Sequence, residues 1–332
     1  DSYFISIAKG ADGLTALNLV MPLYSIIFSI GEMIGVGSAI RYAIGKIKKD
    51  ADADDYFWNA IIWCIISSMI FVFAGIFFSA DIMRVLGADE HIVAVGNNYT
   101  KIFMCFAPMF MCNYVTNAFV RNDGAPGIAM SATLFSSLFN IVFDYILMFP
   151  MNLGMEGAAL ATALSPIIGM GICSIHFFSK KSSVRLVVCK PSVRKLVAGS
   201  QLGVSAFVGE MSSAVITLAF NFVILKLAGN VGVAAYGVVA NIAIVTTAVF
   251  NGVAQGSQPL ISSCFGRGDK DGCTQLKRMG YTTAFVLAAV MYSILFIFAG
   301  QFVAVFNSEG SEMLRLYATE GVKLYFIGIF FA

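Results

Sequence analysis

An all-α, polytopic membrane protein made of two parallel-repeat six-helix bundles is the fold class the sequence predicts, on three observations. Hydrophobic residues make up 58% of the 332-residue chain and charged residues 12%, with a mean hydropathy of +0.83. A water-soluble domain would not carry that balance on its surface. Long apolar stretches recur along the whole chain, each able to supply the roughly 20 residues a spanning helix needs. Finally, Gly31-Glu-Met-Ile-Gly35, Ile40 and Gly45-Lys46 return 221 residues later as Gly252-Val-Ala-Gln-Gly256, Ile261 and Gly266-Arg267.

In order, the stretches run over 14–40, 57–80, 102–120, 125–150, 157–179, 196–225, 227–265 and 281–306, and a further one begins at Leu324. Their length excludes a β-barrel, whose strands would be about ten residues long with alternating polarity. Pro22, Pro108, Pro166 and Pro259 fall inside apolar segments. Each frees a backbone carbonyl, which fits either a kinked helix beside a cavity or an ordinary packing kink. The Gly31/Gly35 and Gly252/Gly256 pairs permit close helix contact.

Placing the links after the first, third, fifth and seventh stretches on one side gathers most of the 21 Lys and Arg residues there, including Arg41, Lys46, Arg121, Lys180, Lys181, Arg194 and Arg267. That side is expected to be cytoplasmic, so the net charge of +2 is a topological signal and no argument for nucleic-acid binding. The two echoes lie six helices apart, so both copies cross in the same direction and the halves are parallel repeats, an arrangement found among secondary transporters. A weaker echo sets Val85-Leu-Gly-Ala-Asp89 against Val305-Phe-Asn-Ser-Glu309. The expected division is an N-terminal lobe over 1–179, an inter-lobe linker over 180–195 and a C-terminal lobe over 196–332.

Applied to the ends, the repeat leads us to expect truncation: most of the first helix and the last two helices of a twelve-helix protein would be missing, with Asp1 as the tail of the first. No basic, apolar leader opens the chain.

Ionisable groups inside a bilayer are costly and mark function. Asp144 lies in Leu138-Phe-Asn-Ile-Val-Phe-Asp-Tyr-Ile-Leu-Met-Phe149, and Asn140, four residues earlier, shares its helix face. A carboxylate beside an amide oxygen supplies hard ligands for Na+ or a carboxyl able to carry a proton; a single acid bonded to a neighbouring helix is the alternative. Glu210, between Gly209 and Ser212-Ser213, is a second cavity or protonation candidate, and Glu32, whose repeat partner is Val253, a third. His91 and His176 stand isolated at helix ends. The seven cysteines form no C-x-x-C and read as core thiols. No Ser-His-Asp order, H-E-x-x-H or P-loop is present, so neither an enzyme nor an ATP-driven pump is expected, and no cofactor.

On these residues the chain resembles the multidrug and toxic compound extrusion (MATE) family. The resemblance spans the whole chain, through Asp1-Ser-Tyr-Phe-Ile with Leu14-Thr-Ala-Leu, Gly35-Val-Gly-Ser-Ala-Ile, Tyr99, Arg121-Asn-Asp-Gly, Asn140-Ile-Val-Phe-Asp144 and Gly154-Met-Glu-Gly-Ala-Ala-Leu-Ala-Thr162. Ser205 departs from it, standing where many members have proline. The resemblance implies two six-helix bundles that alternate in access, and a Na+ or H+ site formed by Asp1, Asn140, Asp144 and Thr162. It also implies a role for Glu210 in the second lobe, a multi-pass place in the cell membrane and a monomer. The expected activity is antiport of amphipathic, often cationic compounds against Na+ or H+. A lipid-linked oligosaccharide flippase of the same superfamily is the alternative; a membrane enzyme or non-transporting receptor is the rival from another class.

Overall fold

The computed structural model describes residues 2–306 and 312–331. Its helices are α1 (Ser2–Ile47), α2 (Asp55–Val85), α3 (Glu90–Cys105), α4 (Ala107–Asn122), α5 (Pro126–Met148), α6 (Gly154–Phe177), α7 (Val193–Arg267), α8 (Lys270–Ile297), α9 (Ala299–Phe306) and α10 (Glu312–Tyr325), followed by a 3-10 turn over Phe326–Phe331. The described residues contain no strand. Among them six helices are long and apolar enough to cross a membrane, and a seventh is made if α3 and α4, bent by 45°, form one span.

Two backbone breaks carry the duplication into the structure. α1 is interrupted at Gly10 (φ 59°, ψ −143°) and α7 at Gly229 (φ 61°, ψ −157°), a left-handed conformation open to glycine at little cost. Their spacing is close to the 221-residue period. The break at Gly229 falls just inside the apolar stretch expected as 227–265, near its boundary with 196–225.

The stretch over 102–120, expected as one helix, bends at Phe106 (φ −92°, ψ 7°). Pro108 explains the bend: it lacks an N–H and clashes inside a helix but is tolerated in a first turn, so α4 restarts just ahead of it. At the other end of α3, Asp89 caps the helix by accepting from the Ile92 N–H at 2.8 Å.

The chain forms two compact units, Asp1–Met211 and Ser212–Ala332. In the first, α1 lies close on α4: a Cβ on Gly31 would stand 3.0 Å from Met111 Cα, and one on Gly35 3.0 Å from the Tyr114 carbonyl carbon. α1 also meets the start of α7 backbone to backbone, since a Cβ on Gly37 would overlap the Gly199 carbonyl and one on Gly203 the Met33 carbonyl. Gly157 brings α6 onto the backbone of Leu147, closing the α5–α6 hairpin. Tyr42, Phe57, Phe103 and Phe119 fill the core between α1, α2, α3 and α4.

The link between α6 and α7 is strapped to the first unit. Asp123, just past α4, accepts from the Tyr42 hydroxyl (2.7 Å), the Ser183 N–H (2.8 Å) and the Ser182 hydroxyl (3.2 Å), and faces His176 Nε2 at 2.8 Å. The Asp123 and His176 side chains are each 4% exposed. His176 is thus not isolated as the sequence suggests, and His91 likewise pairs with Asp12 at 3.0 Å. Spatial neighbours far apart in the chain supply both partners. Further along, the Arg185 N–H donates to Asp54 (3.0 Å), the Ser192 N–H to Asn59 Oδ1 (2.7 Å), and Lys195 pairs with Asp55.

The second unit packs Tyr236, Val239, Leu295, Val303, Val322 and Phe326 into one core. Gly252 and Gly256 do not behave as their repeat partners do. Among the described residues a Cβ on either meets nothing within 4 Å, and both glycines are exposed.

Candidate functional site

Asp144 is fully buried, at 0% exposure, on the face of α5 turned toward the rest of the first unit. One turn earlier Asn140 donates its amide to the Thr162 hydroxyl of α6 at 3.4 Å. That reach exists because Ser136 Oγ, one turn further back, donates to the Ser165 carbonyl at 2.6 Å and holds the hairpin in register. The structure therefore brings together Asn140, Asp144 and Thr162. Asp1, the fourth expected member, lies outside the described residues.

Two tyrosines complete the group. Tyr99 of α3 is hydrogen-bonded to Thr162 and to the Tyr24 hydroxyl of α1, and both rings interact electrostatically with Asp144. Tyr24 is held by stacking on Phe103, with centroids 3.7 Å apart. In the sequence Tyr99 stands out only as part of a family stretch, and Tyr24 does not stand out at all. Its signal, a lone tyrosine two residues after Pro22 in an apolar helix, resembles ordinary core.

Chemically the site offers a carboxylate, an amide oxygen and three hydroxyls from α1, α3, α5 and α6. These are oxygen donors of the kind hard cations prefer. A carboxylate removed from water is costly alone, and a proton or a cation relieves that cost. Among the described residues no three His, Cys, Asp or Glu cluster as a transition-metal site would require.

Glu32 and Glu210 form a separate group. They act on each other electrostatically, Arg121 acts on Glu32, and Tyr114 feels both acids. Both acids are half-buried and sit in the first unit, Glu210 on the part of α7 that precedes Ser212.

Within the second unit a cavity of about 750 Å³ opens between α7, α10 and the terminal turn. Phe220 and Tyr236 stack across it at 5.3 Å with planes 10° apart, and Tyr325 meets both edge-on at 6.0 and 6.3 Å. Thr246 and Thr247 are its polar groups beside the tyrosines.

A membrane-spanning helical bundle with a buried carboxylate and an aromatic cavity defines a transporter-like class of protein. A family model described as MatE matches residues 1–146 and 206–332, and the chain belongs to that family. It is similar to the multidrug export protein MepA of Staphylococcus aureus (strain MRSA252), 28% identical over 321 residues that make up 96% of this chain and 68% of the relative. MepA of Staphylococcus saprophyticus is 26% identical over 317 residues, 93% of this chain and 69% of the relative. In fold it resembles a MOP superfamily transporter from Pyrococcus furiosus, with a TM-score of 0.88 at 20% identity over 99% of this chain and 74% of that one. An outward-facing multidrug resistance MATE family transporter gives 0.88 at 20% identity, over 99% and 73%.

Proposed function

We propose that this protein exports amphipathic, often cationic compounds across the cell membrane in exchange for Na+ or H+. The observation that carries the reading is Asp144, fully buried among the oxygen donors Asn140, Thr162, Tyr99 and Tyr24. Family membership and the multidrug export relatives support the export side of it.

A cation reaching Asp144 offsets the desolvated carboxylate and draws α5, α6, α3 and α1 onto one centre. The state that binds it is thereby stabilised. By linkage, whatever the ion does to affinity for the exported compound, the compound does to affinity for the ion. The membrane potential offers roughly 2.3 kcal/mol per charge per 100 mV to drive the exchange. On the substrate side, the Phe220, Tyr236 and Tyr325 rings present faces and edges that suit a flat apolar body, and π-faces that attract a cation. The basic links, including 180–195, face the cytoplasm in this reading.

Proteoliposomes loaded with a fluorescent cationic dye test it, under an imposed sodium gradient and, separately, a pH gradient. One gradient drives efflux in the native protein. Asp144→Asn inserts normally and loses gradient-driven efflux. Full coupling in that variant would overturn the site assignment.

A further inference from the structure

Between Phe177 and Val193 the chain has neither helix nor strand, yet it is held in place. Its N–H groups at Ser183, Arg185 and Ser192 are fixed to Asp123, Asp54 and Asn59, and the Val184 side chain is buried in the core. Asp123 ends α4, while Asp54 and Asn59 stand at the start of α2, so the anchors lie at the helix ends, the level at which apolar spans of this kind would leave a bilayer. The segment between the anchors is confined to that level.

There Leu186, Val187 and Val188 are consecutive and exposed, Val188 by 75%. The Val187 N–H closes a tight turn on the Arg185 carbonyl at 2.9 Å, and the three aliphatic side chains around it form a short exposed apolar edge. Around them Lys180, Lys181, Arg185, Lys190 and Arg194 are also exposed. The nearby acids are engaged: Asp54 by Lys46, and Asp52 and Asp55 by Lys195. α2, at whose start the segment passes, exposes Ile66, Ile70, Phe73 and Phe77 along its length, the composition of a lipid-facing helix. A net basic strip carrying exposed aliphatics at interfacial depth is complementary to acidic headgroups above acyl chains.

We propose that residues 185–194 form an interfacial anchor that lies in the headgroup layer and binds anionic phospholipid. The inference rests on the spanning fold and not on the exported compound.

The test is the full chain with its cysteines replaced, carrying Val187→Cys labelled with an environment-sensitive fluorophore. It is reconstituted in vesicles of phosphatidylcholine alone or mixed with phosphatidylglycerol. In the mixed vesicles the label emits at shorter wavelength, is quenched by nitroxide-bearing lipid and is shielded from iodide. High salt weakens this, and R185Q, K190Q and R194Q together return it to the phosphatidylcholine value. The salt series needs no further substitution, so misfolding of the triple variant does not remove the charge test. Aqueous emission with full iodide quenching in both vesicles overturns the proposal. So does shielding that appears only as protein density per vesicle rises, which would assign the strip to a second copy of the chain.

Discussion

Asn140 of α5 and Thr162 of α6 meet side chain to side chain, amide nitrogen to hydroxyl oxygen at 3.4 Å, one turn from the buried Asp144. Thr162→Val keeps the branched shape and withdraws that acceptor, and losing such a bond costs about 1 kcal/mol. The expected outcome is near-normal folding with weakened dependence of efflux on the driving cation. An unchanged cation titration would separate Thr162 from the site.

The tyrosine pair gives a sharper contrast. Tyr24→Phe retains the stack on Phe103 but removes the hydroxyl that meets Tyr99, and Tyr99→Phe removes the one that meets Thr162. Both variants are expected to keep dye binding and lose gradient-driven efflux, Tyr99→Phe more severely because its hydroxyl touches two partners. Equilibrium dye binding measured beside vesicle efflux distinguishes this from general damage.

Asp123 is the acceptor for Tyr42, Ser182 and Ser183 and faces His176. Asp123→Ala leaves the buried Tyr42 hydroxyl and His176 ring unmatched, at roughly 1–3 kcal/mol each. Thermal unfolding in detergent is expected to fall strongly, and limited proteolysis to open the 180–192 link. Asp123→Asn, which retains one acceptor oxygen, should lie between.

Glycines in close backbone contact and glycines on an open face respond oppositely to alanine. Gly37→Ala and Gly203→Ala force a methyl into opposing backbone, where overpacking costs about 1–3 kcal/mol. Gly252→Ala and Gly256→Ala meet open space, and the helical preference of alanine favours them by about 0.5–1 kcal/mol. Melting temperatures of the four variants check the sign at each position.

The Cys189 thiol is pushed above its ordinary range by burial, with the Asp55 carboxylate adding to the effect. Since the thiolate is the reactive form, alkylation of a Cys189-only variant should be slow at neutral pH and still rise with pH where a free cysteine has levelled off. Asp55→Asn removes one cause and is expected to speed the reaction at a given pH.

Local chemistry wrote much of this protein in advance. Apolar stretches longer than a bilayer is thick leave only helices as an outcome, because no water remains to satisfy the backbone. The echo at 221 residues made the chain a duplication, and Asp144 with Asn140 four residues before it declared a polar face on an apolar helix. Other features were not legible. A glycine pair reads the same at 31 and 252, but among the described residues only at 31 does another helix arrive. His176 and Asp123 are 53 residues apart in the chain and 2.8 Å apart in space. Tyr24 gains its partners from α3 and its neighbour Asp144 from α5, neither of which adjoins it in the sequence. Hydrophobic length and periodicity are properties of a segment and survive in the sequence. Which donor meets which acceptor depends on the rotation of one helix against another, and that is settled only when the helices pack.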